Sequence, residues 1–271
     1  MSTGEKMPAF ALHIDSAKKV FEHLKIRRKS FAFALVTIGT VITDIEEFHV
    51  LKNVHWHAEE FLQYLLKNDP KYAPLAIGMI LHEELDRILD KQFVNHKIEE
   101  ADRILKKFGV QSHQEEPHYL VDHCVNCNAL ELEPQIIALA DQSRRRLSLK
   151  HISKIALHLS RFFRGNEAEV LAFLLRFRDF DLAQYLAPDQ AASVYAKFML
   201  TKSPRTSIWS KVRLAASYLG FLLGNRRALI QEMSEHAKQK FSGHGKLYLK
   251  ACKVIAKRIA RVSSSYGIVM K

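Results

Sequence analysis

Apolar residues recur along this chain mainly at the three- and four-residue spacing of amphipathic helices. In the segment 152–163, isoleucine, leucine and phenylalanine fall on one side, while Lys154 and Arg161 fall off that stripe. Alternating patterns typical of strands are scarce. The periodicity therefore predicts an all-α, multi-helix bundle. Its further helices are predicted at 14–26, 56–67, 73–91, 95–108, 117–127, 134–145, 167–177, 189–200, 208–224, 226–240 and 246–262.

Residues that interrupt helices divide this pattern. They lie at 68–70, 109–117, 165–166 and 201–204, where proline, glycine or asparagine occur. The weakest connection is around 129–148, so two parts are predicted. The first, 1–139, is a helical part that carries the candidate metal ligands. The second, 140–271, is a basic helical domain or a continuation of the same bundle.

Charge follows the same division. The net charge is +12 for 271 residues. The first 139 residues hold 16 Lys and Arg against 21 Asp and Glu, and the remainder holds 25 against 8. Ten of the 14 histidines lie in the first part. Candidate metal ligands and candidate anion-binding cations thus lie in different parts of the sequence, which indicates two tasks.

Composition and the ends of the chain limit where the protein is expected to act. The longest apolar stretches, 31–42 and 214–223, are shorter than the roughly 20 residues needed to cross a bilayer. The N-terminal residues lack the pattern of a signal peptide. Three cysteines do not form a disulfide framework. We therefore expect a cytoplasmic protein, with peripheral contact to a membrane surface as an option.

Two short segments share one design, a histidine followed four residues later by an aspartate. They are His82 with Asp86 and His118 with Asp122. On a helix, positions i and i+4 share a face, so each pair presents an imidazole nitrogen and a carboxylate oxygen toward one point. Catalytic zinc takes about three such protein ligands and keeps a position for water. Each pair is therefore predicted to supply part of a zinc site.

The order of these residues resembles the zinc-dependent phospholipase C family, whose all-helical fold is shared with zinc-dependent single-strand nucleases. That family's pattern has an early histidine, an aspartate closing an apolar segment, a histidine after it, a His-x-x-x-Asp helix, another histidine and a second His-x-x-x-acid helix. The counterparts here are His13, Asp44, His57, His82 with Asp86, His96, and His118 with Asp122. The resemblance covers about residues 10 to 125 and does not extend to the rest of the chain.

The resemblance implies one zinc ion held by His57, His82 and Asp86. It implies a second held by His96, His118 and Asp122, and a third near His13 and Asp44. In the secreted enzymes of that family, the mature N-terminal amine is also a ligand of the third ion. We therefore expect two zinc ions in this chain. His55 competes with His57, but the two would point about 200° apart on a helix. The spacing from Asp44 favours His57.

Other metal sites fit the sequence less well. Glu46-x-x-His49 and Glu115-x-x-His118 resemble the ligand pairs of di-iron bundles. However, Pro117 is expected to start a helix there, and two further inward glutamates are not evident. Histidine-aspartate phosphohydrolases need an adjacent His-Asp pair, which the sequence lacks. A lone Cys-x-x-Cys at Cys124 and Cys127 is better interpreted as core.

The expected activity is hydrolysis of a phosphoester, in which zinc activates a water for in-line attack on phosphorus. By resemblance, Asp44 orients or deprotonates that water. Basic residues are expected to meet the substrate, which is a phospholipid, nucleic acid or small phosphoester. These candidates are Arg144, Arg145, Arg146, Arg226, Arg227, Lys257 and Arg258. The alternative is a non-enzymatic basic helical protein that binds anionic partners and holds any metal for stability.

Overall fold

The computed structural model describes residues 10–25, 30–48, 50–108, 116–179 and 226–268. All regular elements of this part of the chain are helical, so the all-α prediction is confirmed. The helices are α1 (Phe10–His23), α2 (Phe31–Ile42), α3 (Ala58–Asn68), α4 (Ala73–Leu89), α5 (Asn95–Lys107), α6 (Glu116–Leu132), α7 (Ile136–Arg145), α8 (Leu149–Phe163), α9 (Glu167–Asp179), α10 (Arg226–Lys240) and α11 (Gly245–Ser265). Short 3₁₀ turns at Thr43–Phe48, Pro70–Tyr72 and Ser242–His244 and a π-helical turn at Asp90–Val94 connect some of them.

The amphipathic helices lie close to their predicted positions, whereas one apolar helix was not predicted at all. α6 begins at Glu116 with Pro117 in its first turn, as the missing amide hydrogen of proline favours. In the sequence, α2 is recognisable only as an apolar stretch. Its residues from 32 to 42 are all buried, so it has no polar face from which a helical period could be read. The predicted helices at 189–200 and 208–224 lie outside the described residues.

α2 and α4 cross at the centre of the core. They meet at Gly39 and Gly78, whose backbones are in direct contact. A Cβ atom on Gly78 would lie 2.2 Å from the carbonyl oxygen of Val36, and one on Gly39 would lie 2.1 Å from that of Leu75. Glycine is therefore required on both helices for this close approach, which also brings the end of α2 beside the middle of α4.

α1 packs against α2, α4, α6 and α11. Its first turn is capped from α6, where the side-chain oxygen of Asn126 accepts a hydrogen bond from the Ala11 amide at 2.9 Å. On the other side, the hydroxyl of Tyr248 in α11 donates to Asp15 at 2.7 Å. These contacts hold α1 between early and late parts of the sequence.

Residues from both predicted parts contribute to one continuous hydrophobic core. α11, from the basic part, packs on α1 and α4, and α7 packs on α1 and α2. Charge therefore divides the sequence at 139–140, while the core extends across that boundary. Across the described ranges, none of the helices combines the length and apolar character needed to cross a membrane.

Candidate metal centre

The candidate site is built around His82, a fully buried histidine on α4. Its Nδ1 lies 2.7 Å from the carbonyl oxygen of Thr40 at the end of α2. A carbonyl oxygen only accepts, so Nδ1 carries the hydrogen and donates it. This contact fixes the ring, and in the neutral imidazole it leaves Nε2 with its lone pair available.

Two carboxylates face this Nε2 atom. Asp86, one turn further along α4, brings Oδ2 to 3.0 Å from it. Asp44, in the 3₁₀ turn that follows α2, brings Oδ1 to 3.4 Å. The first contact follows from the i, i+4 spacing, and the second follows from the glycine crossing of α2 and α4. A lone pair and two carboxylate oxygens thus converge on one point inside the core.

Two more histidines extend this arrangement on either side. His13 of α1 lies with Nε2 3.2 Å from Oδ1 of Asp86, and its ring stacks on His82 at 4.0 Å between centroids. His55 lies with Nε2 3.8 Å from Oδ1 of Asp44. The five residues, in spatial order His55, Asp44, His82, Asp86 and His13, are called the central cluster below.

The central cluster contains two overlapping groups that could hold a metal ion. One is His13, His82 and Asp86, and the other is Asp44, His55 and His82. In each group, one ligand atom per residue lies within 4.8 Å of the others. His82 belongs to both groups but has a single free nitrogen, so it can serve one ion at a time.

Burial controls the protonation of this cluster. It lowers the pKa of His82 by more than the attraction of Asp86 raises it, which favours the neutral ring. Burial also acts to raise the pKa of Asp86, but a positive charge on the neighbouring His82 or His13 ring outweighs it and holds that pKa well below its usual range, as a bound cation would. The combination of a neutral imidazole and an ionised carboxylate is the state in which both groups bind metal.

Glu83 positions the loop that carries His55. Its Oε1 accepts a hydrogen bond from the Ala58 amide at 3.3 Å, and the carboxylate also accepts one from the Trp56 amide. Burial raises the pKa of Glu83 to about 7 despite these bonds. Trp56 has a left-handed backbone, with φ of 69°, and its side chain is 56% exposed. Strained exposed residues of this kind are frequent at functional sites.

The second predicted pair lies beside the central cluster. Nε2 of His118 is 3.1 Å from Oδ2 of Asp122, as the i, i+4 spacing on α6 predicts. Asp122 lines a small cavity together with Asp86 and His13 of the central cluster and Asp90 from the π-helical turn. The cavity therefore lies between the aspartates of the two histidine-aspartate pairs, and the sequence did not single out Asp90.

The structure does not bring His57 or His96 into either group. His57 is half exposed and its Nδ1 lies 3.9 Å from Glu60, while His96 is exposed on α5. His13 is the third residue of the group that contains His82 and Asp86, and His55 lies in the group with Asp44 and His82. Only the spacing from Asp44 favoured His57. The helical angle between His55 and His57 does not apply, because α3 begins only at Ala58 and Trp56 has a left-handed backbone.

The predicted anion-binding residues differ in their availability. Arg144 is buried, where it donates to the Phe177 carbonyl at 2.7 Å and pairs with Asp141. Arg258 pairs with Glu59 and Glu84. Both arginines therefore join helices. The remaining candidates are Arg145 and Lys257, which are exposed, Arg146, which is partly buried, and Arg226 and Arg227, whose side chains lie outside the described residues.

Comparison with protein-family models, with curated proteins and with solved structures finds no match for this chain. The function of this chain is therefore inferred from the geometry of the central cluster and from the order of its residues in the sequence.

Proposed function

We propose that this protein is a metal-dependent phosphoester hydrolase whose first cation is bound by the central cluster. One observation carries the proposal. In the neutral imidazole of His82, Nδ1 donates to Thr40 and Nε2 carries only a lone pair, and this Nε2 faces the carboxylates of both Asp86 and Asp44. A lone pair facing two anionic oxygens in a buried site is repulsive, and a divalent cation turns this repulsion into attraction.

The donor set is compatible with zinc, the ion that the sequence resemblance implies. Imidazole and carboxylate ligands suit zinc, and a catalytic zinc site uses about three of them. His82 and Asp86 belong to the first site in this proposal, and His13 is the third ligand within reach. Asp44 and His55 form the other group around His82, where they would orient a water or complete the site.

A second cation is proposed beside Asp122 and His118. Asp122 lines the same small cavity as Asp86, so a cation beside Asp122 would lie close to the first one. Divalent cations bound in this way supply Lewis-acid activation of water and neutralise the oxygens of a phosphoester. The chain's own contribution is to fix the ligands. Thr40 orients His82, and Glu83 holds the His55 loop against α4.

Metal content tests the ligand set directly. Elemental analysis of the purified protein should give one to two zinc ions per chain. His82→Ala should lose the first ion. His55 and His57 are a matched pair, because they are separated by one residue and only His55 lies in the central cluster. If His55 is a ligand, His55→Ala lowers zinc content or affinity, while His57→Ala leaves both near wild type.

Turnover is tested separately, with a chromogenic phosphodiester in the presence and absence of a chelator. Chelation should abolish product release, and added zinc should restore it. Asp44→Asn should reduce turnover by roughly 100-fold or more if this carboxylate orients the water. Bound zinc without turnover on any phosphoester would assign the metal a structural role and favour the non-enzymatic alternative. Absence of bound metal would remove both the site and the activity proposed for it.

A further inference from the structure

α11 has one covered face and one open face. Its buried side chains include Tyr248, Ala251, Ile255 and Ile259, and the helix packs through them on α1 and α4. Arg258 adds ion pairs to Glu59 and Glu84 at the edge of this face. The helix is therefore fixed in the fold by one side, and its other side faces outward.

The outward side carries a stripe of four exposed lysines. They are Lys246, Lys250, Lys253 and Lys257. At 100° per residue their side chains fall within an arc of roughly 60°. α11 contains six basic residues and no acidic one. Within the described part of the chain, no carboxylate lies within ion-pair distance of these four lysines. This concentration of unpaired charge needs an anionic partner or bulk water.

Exposed apolar residues flank the lysine stripe on both sides. Leu249 is 50% exposed and Val254 is 47% exposed. In helical projection, each lies roughly 40° outside an edge of the stripe. A nucleic-acid backbone would be matched by the cations alone. Cations bordered by exposed aliphatic side chains instead match the boundary between lipid headgroups and acyl chains.

We propose that this outward face of α11 docks the protein on membrane surfaces rich in anionic phospholipids. The four lysines meet the headgroup phosphates and carboxylates, and Leu249 and Val254 enter the acyl boundary. The helix of 21 residues presents this face already folded, because the opposite face packs on the core. This inference does not depend on the central cluster, so failure of one leaves the other intact.

Binding of the full-length protein to vesicles tests the proposal. Vesicles of phosphatidylcholine alone are compared with vesicles in which about a third of the lipid is phosphatidylserine. The protein should float with the anionic vesicles, remain free with the neutral ones, and be released as salt rises. The triple variant Lys250→Glu, Lys253→Glu, Lys257→Glu should lose roughly 100-fold or more in affinity.

A matched control changes the same net charge elsewhere. Lys52, Lys67 and Lys91 are exposed lysines outside α11, and their triple replacement by glutamate should keep binding within about fivefold of wild type. Circular dichroism confirms that both variants fold. Equal losses in the two triple variants would overturn a specific docking face, because the effect would then follow overall charge.

Leu249→Ser separates lipid insertion from simple charge attraction. It keeps all the lysines and changes one exposed side chain, so folding should be preserved. Binding to anionic vesicles should fall by about fivefold or more, since an inserted leucine side chain contributes through its apolar area. Unchanged vesicle binding in this variant would contradict the insertion. If the wild-type protein does not bind anionic vesicles but binds a DNA duplex through α11, the partner of this face is a nucleic acid and the proposal is overturned.

Discussion

Gly78→Ala tests the link between helix packing and the candidate metal site. The new Cβ atom would lie 2.2 Å from the Val36 carbonyl oxygen and 2.8 Å from the Cα atom of Gly39. Ordinary contact distances are about 3.5 Å, so α2 and α4 would have to separate by about 1 Å. Overpacking of this kind costs about 1–3 kcal/mol, and the better helix propensity of alanine offsets about 1 kcal/mol of it.

The same displacement reaches the site, because Gly78 and His82 lie one turn apart on the same face of α4. The hydrogen bond from His82 to the Thr40 carbonyl spans the two helices at 2.7 Å. A separation of about 1 Å would take it beyond the usual limit for such a bond. We therefore expect Gly78→Ala to lower both the free energy of unfolding and the affinity for zinc.

Denaturant unfolding with and without zinc, together with elemental analysis, measures both effects. Gly245→Ala is the control, because a Cβ atom at this helical glycine would meet nothing within 4 Å. It should be neutral or stabilising. Gly78→Ala protein that is as stable as wild type and binds zinc equally well would refute the dependence of the site on the glycine crossing.

Three further results are expected. Arg144→Ala should cost about 1–3 kcal/mol of unfolding free energy in urea titrations, because its buried bond to Phe177 is lost, whereas Arg145→Ala at an exposed position should stay within about 0.5 kcal/mol. Trp56→Gly should be more stable than Trp56→Ala by about 1 kcal/mol in the same titrations, because glycine adopts a positive φ without strain; equal values would contradict the strain. Burial raises the pKa of Cys252 to about 12, so its labelling by a thiol reagent at pH 8, followed by peptide mass spectrometry, should be at least about 100-fold slower than after denaturation.

The sequence predicted the parts of the site that depend on local geometry. The i, i+4 spacing placed His82 beside Asp86 and His118 beside Asp122. Such pairs need only a helix, and the helical period was clear in both segments. Pro117 also indicated the start of α6 correctly. Local spacing could not show that Asp44 reaches the same point as His82, and the resemblance instead placed Asp44 with His13.

The predictions from the sequence differ from the structure where tertiary contacts determine the position of a side chain. His55 and His57 were compared as if they lay on a helix, but the left-handed backbone at Trp56 turns the chain before α3 begins. Three consecutive arginines likewise do not reveal which one faces the core. Packing against α9 buries Arg144 and leaves Arg145 exposed. In both cases a shift of one or two positions along the sequence alters the function assigned to a side chain.

The orientation of His82 has a consequence for how the site can vary. The group that holds its ring is a main-chain carbonyl, so residue 40 supplies it whatever side chain it carries. Substitutions at this position that keep the helix and fit the available volume leave the acceptor in place. The site is thereby protected against point mutations at its supporting residue and remains sensitive to shifts of the α2 backbone, which is the part that neighbouring helices control.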